Sequence, residues 1–430
     1  MTPEKNNTYC YHPSKALALK GFNKGKLEGA TPCCHMSNDP NNKYPLKIDN
    51  VENLTPEEIF NHSRMKLLRE NLKNKIKDTA CQICWEIEDR GLKSPRLFSN
   101  NYLYKDKAGN INNDVTLVQL DVTASNICNL ACRMCSPSAS HLLMKDYNFF
   151  EKNKLRNKAQ FATGERFGIS VPYQGTESIQ WKWMEENTDK IKILRASGGE
   201  PFYDKKVTTL LDKFIDTGNA KNTNLQFHTN ATQFTPELCN MLNQFKSNNH
   251  TFSVDGSHRV YEYIRHPQNF NELDHSIRTY VSHIDNLKFL EFTMIVSAHN
   301  ILSIVDYVKW VYTFGIEPQV TFSEIFTFHR GVVLKHMPVY LLEKAKEDIE
   351  KIVDPSQRWW DNLITMIDLA IEKNEENGSK LKLETVLFDK SRNQSYNDYL
   401  HKDLAKYLDS STDTKAHIQM YTHRLSKIFR

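Results

Sequence analysis

The amino-acid sequence predicts an α/β fold: a partial (β/α)6 barrel of the TIM type, with a small cysteine-rich domain before it and a helical tail after it. Three observations support this fold. Short apolar strands alternate with amphipathic helices in residues 113–335, as they do in parallel sheets. Eight of the nine cysteines lie within the first 135 residues, and residues 336–430 show helical patterns. We therefore expect three parts, residues 1–112, 113–335 and 336–430.

The cysteine-rich part contains one long helical pattern. Thr55 followed by Glu58 forms a capping box, and Pro56 stands at the first helical position. Apolar residues then recur at roughly helical spacing. These signals predict a helix from Thr55 to about Lys75.

The middle part contains six predicted strands, all short apolar runs: Leu117–Val122, Ile191–Ala196, Leu225–His228, Thr251–Val254, Phe289–Val296 and Val320–Phe322. Amphipathic helices are predicted between them at Lys206–Thr217, Pro236–Phe245, Asn271–His283 and Ile301–Thr313. Six strand–helix units fall short of the eight that close a full barrel. The long connection between Ser136 and Asp189 is expected to hold a helix and an irregular insertion around Gly164–Gly175.

The C-terminal part is predicted to be helical. Its helices are expected at Val339–Val353, Arg358–Glu372 and Tyr396–Leu408. The pattern contains no strand signal, so this part is expected to form a helical tail.

Composition narrows the class of protein. The chain has 430 residues, of which 39% are apolar and 25% charged, as in soluble globular proteins. Its 56 basic and 52 acidic residues give a formal net charge of +4, so a nucleic-acid partner is not implied. The sequence has no apolar run long enough to span a membrane, and its beginning, MTPEKNNTYC, lacks the apolar run of a secretory signal. We expect a cytoplasmic protein with no membrane partner.

Three cysteines follow the first strand of the middle part. Cys128, Cys132 and Cys135 form a C-x3-C-x2-C motif. Three thiolates on one loop can hold three irons of a [4Fe–4S] cluster, and the fourth iron then has no protein ligand. An open iron is a site for chemistry, just as a catalytic zinc keeps one position open. Because zinc also binds three cysteines and one histidine, and His141 is near in the sequence, a structural zinc site is the alternative.

The C-x3-C-x2-C loop resembles the hallmark of the radical SAM superfamily, and the resemblance covers about residues 113–325. In that family the open iron binds the amino and carboxylate groups of S-adenosylmethionine (SAM). One electron from the cluster then breaks the S–C5′ bond, and the resulting 5′-deoxyadenosyl radical abstracts a hydrogen atom from substrate. The resemblance implies SAM as a cofactor and an external electron donor such as a flavodoxin or ferredoxin. Met134 stands where the family usually has an aromatic residue, but a flexible thioether can still pack beside adenine.

Further segments follow the later strands in the order that the family shows. Each alone is an ordinary turn, helix cap, ion pair or core residue. The resemblance implies a set of SAM-binding residues: Gly198, Gly199, Glu200, Thr229, Asn230, Ser253, Asp255, Arg265 and Ile295. In this family the Gly-Gly-Glu segment holds the methionine amino group. Ser253 would bind the methionine carboxylate or the ribose, Asp255 the ribose, and Arg265 the cofactor carboxylate. Ile295 would pack on the adenine.

The N-terminal cysteines form a second group. Cys10, Cys81 and Cys84, with either Cys33 or Cys34, provide four ligands, which is a closed set suited to structure or electron transfer. Of the two neighbouring cysteines, the one that directly follows a proline, Cys33, is preferred as the fourth ligand.

This second group resembles the twitch domain, a shortened relative of the SPASM domain that binds one auxiliary [4Fe–4S] cluster. It precedes the barrel here, as in a group of phage and environmental radical SAM proteins. A four-cysteine zinc site is the alternative, and His12 and His35 are further candidate ligands. Cys239 lies on the apolar face of a predicted helix and is expected to be a buried thiol.

These features together predict a radical SAM enzyme with a catalytic [4Fe–4S] cluster and a second, auxiliary cluster. Because relatives with SPASM and twitch domains often act on peptides, the resemblance favours a peptide or protein side chain as substrate, with a small molecule as the other choice. Two other classes stay open, a two-cluster electron-transfer protein and a zinc-stabilised binding module without catalysis.

Overall fold

The computed structural model describes residues 8–23, 26–36, 46–89, 94–102, 114–153, 178–324, 330–352 and 359–411. The insertion predicted around Gly164–Gly175 lies outside these residues. Within them the chain forms strands of two to eight residues and helices of four to fifteen.

The strands, in chain order, are β1 (Ala16–Asn23), β2 (Lys26–Thr31), β3 (Gln119–Thr123), β4 (Ile193–Ser197), β5 (Asn224–Thr229), β6 (Ser247–Asn248), β7 (Thr251–Ser253), β8 (Leu290–Val296) and β9 (Pro318–Glu324). The helices are α1 (His12–Lys15), α2 (Pro56–Phe60), α3 (Ser63–Lys73), α4 (Gln82–Asp89), α5 (Pro95–Tyr102), α6 (Leu143–Lys152), α7 (Ile179–Glu186), α8 (Lys205–Asp216), α9 (Pro236–Leu242), α10 (His258–Ile264), α11 (Phe270–His283), α12 (Ile304–Tyr312), α13 (Val339–Glu350), α14 (Trp359–Glu372), α15 (Gly378–Arg392), α16 (Tyr396–Tyr399) and α17 (Lys402–Ser410).

The chain divides into two compact units. The first comprises residues 1–125, 173–227 and 243–249, and the second comprises 126–172, 228–242 and 250–430. The units alternate along the chain. The division into residues 1–112, 113–335 and 336–430 stays a prediction.

The sheet of the first unit is parallel except for one hairpin. β1 pairs antiparallel with β2, whereas β1, β3, β4 and β5 follow one another as parallel neighbours. Leu120 and Val122 of β3 are buried, while Asp121 and Thr123, which alternate with them, are half-buried. Because residues paired in register share a face, Asp121 lies beside Arg195 of β4. One face of this sheet is therefore apolar and the other carries polar side chains.

The second unit contains three further parallel pairs. The last two residues of β5 pair with β7, and β8 and β9 follow β7. Aromatic side chains fill the core on one face of these strands. Phe252 and Phe292 meet edge to face with ring centroids 5.7 Å apart, and Tyr280 of α11 lies 5.1 Å from Phe252. Offset and edge-to-face pairs of this kind stabilise a core beyond the area that they bury.

All six predicted strands form, with ends that differ from the prediction by at most two residues. The predicted helix Thr55–Lys75 is wrong in one respect, because it is broken into α2 and α3. His62 caps α3: its Nδ1 accepts a hydrogen bond from Arg64 N at 3.3 Å. The predicted helix Tyr396–Leu408 likewise splits into α16 and α17, and sequence analysis missed β1, β2 and α15.

Among the described residues, no helix combines the length and the apolar character that are needed to span a bilayer. Apart from the β1–β2 hairpin, the paired strands among the described residues are parallel, and helices connect most of them, as expected for the α/β class. Closure of the strands into a partial barrel stays a prediction.

Candidate functional site

The three cysteines of the C-x3-C-x2-C motif lie together in the second unit. Cys128 and Cys132 are buried with Leu130 in one cluster, and Met134 and Cys135 pack against it. Leu130 N lies 3.4 Å from Cys128 Sγ. A backbone amide that donates to a sulfur stabilises its thiolate form, which is the form that binds metal.

Burial favours the neutral form of these thiols. It raises the pKa of Cys132, and burial together with the neighbouring Cys132 raises the pKa of Cys135 to about 12. Arg265 opposes the rise at both cysteines, and Arg392 opposes it at Cys132. Three thiolates would therefore need further positive charge, which the irons of a cluster or a zinc ion would supply.

Arg133, between the second and third cysteines, anchors the loop to the C-terminal helices. Its Nη2 donates to Asp389 Oδ1 of α15 (2.6 Å), its Nη1 to Thr385 O (3.1 Å) and its Nε to Tyr263 O (2.8 Å). The guanidinium also lies 3.5 Å from the centre of the Tyr263 ring. Arg133 is 4% exposed, so the ion pair is screened little by solvent. A buried cation with this many partners fixes the backbone that carries it.

A second arginine holds the same loop from α15. Arg392 Nη2 donates to Ala131 O (2.7 Å) and to Asp146 Oδ2 of α6 (2.8 Å). Ala131 N in turn donates to His266 O at 2.7 Å. The loop is therefore fixed on both sides of Cys132 by partners far away in the sequence.

His141, the fourth ligand of the zinc alternative, contacts the loop through its ring. Its Nδ1 lies 3.2 Å from Asn126 O and 3.3 Å from Cys128 N. Because this nitrogen is engaged with the backbone, only Nε2 would be left to bind a metal.

Asn230 connects the turn after β5 with the cysteine loop. Its Nδ2 donates to Asn129 Oδ1 (2.8 Å) and lies 4.0 Å from Cys128 Sγ. Its Oδ1 accepts hydrogen bonds from Thr232 N (3.1 Å) and Thr232 Oγ1 (2.7 Å). The Thr229 hydroxyl instead accepts a hydrogen bond within its own turn. Of the two residues predicted here, Asn230 is the one that reaches the cysteines.

Asp255 and Arg265 form a buried ion pair near the cysteines. Asp255 Oδ2 accepts hydrogen bonds from Arg265 at 2.5 Å, and Oδ1 accepts one from Ile295 N at 2.7 Å. Arg265 uses both Nε and Nη2 on this carboxylate, so its Nη1 is left for another acceptor. The pair affects the pKa of Cys132. Three of the roughly four acceptor positions of the Asp255 carboxylate are used by protein donors, which leaves little capacity for a ribose.

Ser253 and Ile295 lie on one face of the second unit's strands. Ser253 of β7 pairs in register with Thr293 of β8. Thr293 and Ile295, two residues apart, share the half-buried face of β8. Asn300, which the sequence did not indicate, supports this region by donating to Ile295 O at 2.8 Å.

Met134 borders a small pocket of the second unit. Polar and apolar side chains contribute about equally to its wall, among them Arg133, Met134, Ile264, Ser297, His299 and Phe388. Met134 thus lies at the edge of a cleft next to the cysteine loop.

The Gly-Gly-Glu segment lies in the first unit, directly after β4. Gly198 has φ +77°, and a Cβ added to it would lie 2.3 Å from Thr123 Cγ2, so only glycine fits. Glu200 is buried, and its Oε1 accepts a hydrogen bond from Phe202 N at 3.2 Å. The turn therefore packs closely against the end of β3.

Four N-terminal cysteines line one small cavity of the first unit. The cysteines are Cys10, Cys33, Cys81 and Cys84. Cys34 is exposed and does not line the cavity. The four predicted ligands thus come together from three segments of the chain. Cys10 lies before α1, Cys33 follows β2, Cys81 directly precedes α4, and Cys84 lies at the start of that helix.

Burial raises the pKa of all four of these cysteines, to about 12 for Cys33, and in three of them the neighbouring thiols add to the rise. Burial, Arg195 and His35 lower the pKa of His12 to about 3. Within the described residues, no three His, Cys, Asp or Glu side chains converge on one point as the ligands of a single metal ion do. Ligands of a [4Fe–4S] cube bind separate irons.

Sequence analysis missed the residues that hold the cysteine loop. Arg133 and Asp389 are 256 residues apart, and Arg392 and Asp146 are 246 apart. Asp389 and Arg392 are three residues apart on one helix, so a shared face was the one available signal. That spacing is too common to identify buried partners.

Comparisons with known proteins leave the family open. No family model matches the chain, and no curated protein matches its sequence. Among solved structures, anSMEcpe with bound AdoMet is 16% identical, with 61% of this chain and 69% of that chain covered and a TM-score of 0.33. The radical SAM enzyme HemN from Escherichia coli is 10% identical over 59% and 52%, with a TM-score of 0.31. Streptococcus suis SuiB bound to precursor peptide SuiA is 12% identical over 79% and 82%, with a TM-score of 0.32. TM-scores of this size do not establish a common fold.

Replacement of Gly198 tests the close approach after β4. Gly198→Ala should lower the free energy of unfolding by roughly 3 kcal/mol, because it adds a steric clash to the strain of a positive φ. Gly218→Ala is the matched control, since Gly218 has φ +72° and open space around it. That change should cost about 1 kcal/mol. Urea unfolding of both variants measures the difference, and equal losses would contradict the close contact with Thr123.

Replacement of Asp389 tests the anchoring of the cysteine loop. Asp389→Asn should destabilise the protein by about 3 kcal/mol, because it leaves the buried Arg133 without its counter-charge. Asp398→Asn, at an exposed position, should change stability by less than about 0.5 kcal/mol. Denaturant unfolding measures both. If the two variants were equally stable, the ion pair would not be what holds the loop.

Proposed function

We propose that this protein is a radical SAM enzyme. Cys128, Cys132 and Cys135 hold a [4Fe–4S] cluster that leaves one iron open for SAM. The observation that carries the proposal is the clustering of these three thiols on one anchored loop, where Cys128 and Cys132 are buried, Cys135 packs against them, and the Asp255–Arg265 ion pair lies beside them. A loop fixed in this way presents three sulfurs with little loss of conformational freedom on binding.

The donor set fits the cluster. Thiolate is the preferred ligand of iron–sulfur clusters, and three of them leave one iron for another ligand. When bound, such a cluster supplies the electron that splits SAM into methionine and the 5′-deoxyadenosyl radical, which takes a hydrogen atom from substrate.

The residues around the loop bind and orient the cofactor. Arg265 offers its remaining Nη1 to the methionine carboxylate, and Asp255 holds Arg265 in position. Met134 packs against the adenine through its flexible thioether. Ser253 and Ile295, which lie on one face of β7 and β8, contact the cofactor from these strands. The role of the Gly-Gly-Glu turn toward the methionine amino group stays a prediction from the sequence.

The N-terminal cysteines hold an auxiliary [4Fe–4S] cluster, in the manner of a twitch domain. The cavity lined by Cys10, Cys33, Cys81 and Cys84 supports this, because four thiolates complete all four irons and leave a closed site. When bound there, such a cluster would supply electron transfer from a flavodoxin or ferredoxin, or a contact with the substrate. The substrate class that this resemblance favours is a peptide or protein side chain.

Metal analysis with product analysis tests the proposed function. After anaerobic reconstitution the protein should contain about eight irons per chain and form 5′-deoxyadenosine with dithionite and SAM. Cys132→Ala should lose about half of the iron and all of this product, because it removes the cluster that binds SAM. Cys81→Ala should lose the other half of the iron and retain SAM cleavage.

Cys239→Ala is the matched control, because Cys239 is a buried thiol outside both groups, and it should keep both the iron and the product. 5′-Deoxyadenosine from Cys132→Ala would contradict the site. Two zincs in place of iron would indicate a zinc-stabilised binding module, and iron without SAM cleavage would indicate an electron-transfer protein.

A further inference from the structure

A charged cluster lies on the polar face of the first unit's sheet, and the proposed chemistry assigns it no role. We call it the Arg195 cluster, and it comprises Lys20, Cys34, His35, Asp121 and Arg195. Asp121 and Arg195 pair in register on β3 and β4. Lys20 lies on β1 two residues after Ala18, which pairs in register with Asp121, so Lys20, Asp121 and Arg195 share this face of the sheet.

The guanidinium of Arg195 has few hydrogen-bond acceptors within this cluster. Its Nη1 lies 3.9 Å from Asp121 Oδ2, which is beyond hydrogen-bond range. Its Nε is shielded from solvent and has no hydrogen-bond partner among the residues that the structure describes. A shielded guanidinium nitrogen without an acceptor costs free energy, so the fold keeps a donor available at this point.

The charges of the cluster favour an anion. Lys20 Nζ donates to Cys34 O at 2.9 Å and to Met36 O, so its charge is held in place by carbonyl groups rather than by a carboxylate. The cluster therefore comprises two cations, Lys20 and Arg195, and one carboxylate, Asp121. An added carboxylate would balance the second cation and accept hydrogen bonds from Arg195.

Solvent reaches this cluster. Arg195 and Asp121 are 22% and 14% exposed along their side chains, and Cys34 is exposed. Because Lys20 Nζ donates to Cys34 O at 2.9 Å, Cys34 adjoins the charges of the cluster. A ligand group can therefore enter without unfolding of the sheet.

We propose that Arg195, supported by Lys20 and oriented by Asp121, binds a carboxylate group of the substrate. Arginine suits this task because its planar fork binds a carboxylate through two parallel hydrogen bonds. That the carboxylate belongs to a substrate rests on the proposed function, whereas the binding site itself does not. In a peptide, the carboxylate comes either from an acidic side chain or from the C-terminus.

The cations have one other role to consider, which is to balance the thiolates of the neighbouring cysteine cavity. Balancing a charge at a distance requires no hydrogen-bond acceptor at Arg195. The Arg195 Nε that has no partner among the described residues therefore favours a carboxylate site, in which the ligand supplies that acceptor. The two roles predict different results when acidic peptides compete for the cluster.

Alkylation of Cys34 measures the electrostatic potential at the Arg195 cluster. The full-length protein reacts with iodoacetate, which carries a carboxylate, or with neutral iodoacetamide, and mass spectrometry quantifies the product at Cys34. Because the same thiolate attacks both reagents, the ratio of the two rates does not depend on the fraction of Cys34 that is deprotonated. Arg195→Gln should lower the iodoacetate-to-iodoacetamide ratio about threefold or more, and Asp121→Asn should raise it by a similar factor.

Lys192→Gln is the matched control, because it removes one exposed positive charge close to Arg195 in the sequence; it should leave the ratio unchanged. Thermal unfolding shows that each variant is folded. An unchanged ratio in both Arg195→Gln and Asp121→Asn would overturn the proposal.

Peptide protection tests binding. The tripeptides acetyl-Ala-Glu-Ala-amide and acetyl-Ala-Ala-Ala carry a side-chain and a C-terminal carboxylate, respectively, and acetyl-Ala-Ala-Ala-amide carries none. At millimolar concentration, one of the two acidic peptides should slow the reaction of Cys34 with iodoacetamide in the wild type, but not in Arg195→Gln. The peptide that protects identifies the source of the carboxylate.

Equal rates with all three peptides would overturn the proposal, even if the reagent ratio responds to the charge variants. The cations would then serve to balance the thiolates. Neither measurement needs iron or SAM, so failure here is distinct from failure of the proposed radical chemistry.

Discussion

Buried arginines hold the cysteine motif in place, and the candidate site depends on them. A guanidinium shielded from water is stable only beside a carboxylate or a set of acceptors. Arg133 has both in α15, and Arg392 has Asp146 of α6 and a carbonyl of the loop. The loop is therefore ordered by the protein itself. A metal cluster that binds to it need not supply the free energy of ordering the chain.

The two groups of cysteines differ in the number of cluster irons that they would leave without a protein ligand. The motif in the second unit brings three thiols together, with a buried ion pair and a pocket beside them. The first unit brings four cysteines to one cavity. Three thiolates leave a [4Fe–4S] cube one iron for chemistry, and four complete it. The same ligand type thus suits catalysis in one unit and electron transfer or structural support in the other.

The sequence was sufficient for features that are local. Apolar runs located six strands, and the spacing of the motif indicated which thiols lie together. Long-range pairing could not be predicted. β1 is ordered by β3, about a hundred residues later, because strand formation depends on its neighbours more than on propensity. The pair Arg133–Asp389 is likewise fixed by tertiary packing. The predicted helix is interrupted at His62, because its side chain caps a new helix, α3, and this local hydrogen bond competes with continuation of the first helix.

The open iron is the central claim, and electron paramagnetic resonance tests it most directly. In the Cys81→Ala variant, which should retain only the cluster of the second unit, the reduced protein is measured before and after addition of SAM. Because SAM would bind the iron that no cysteine holds, the g values should shift on addition. An identical spectrum with and without SAM would show that no coordination site is available, and would contradict the account.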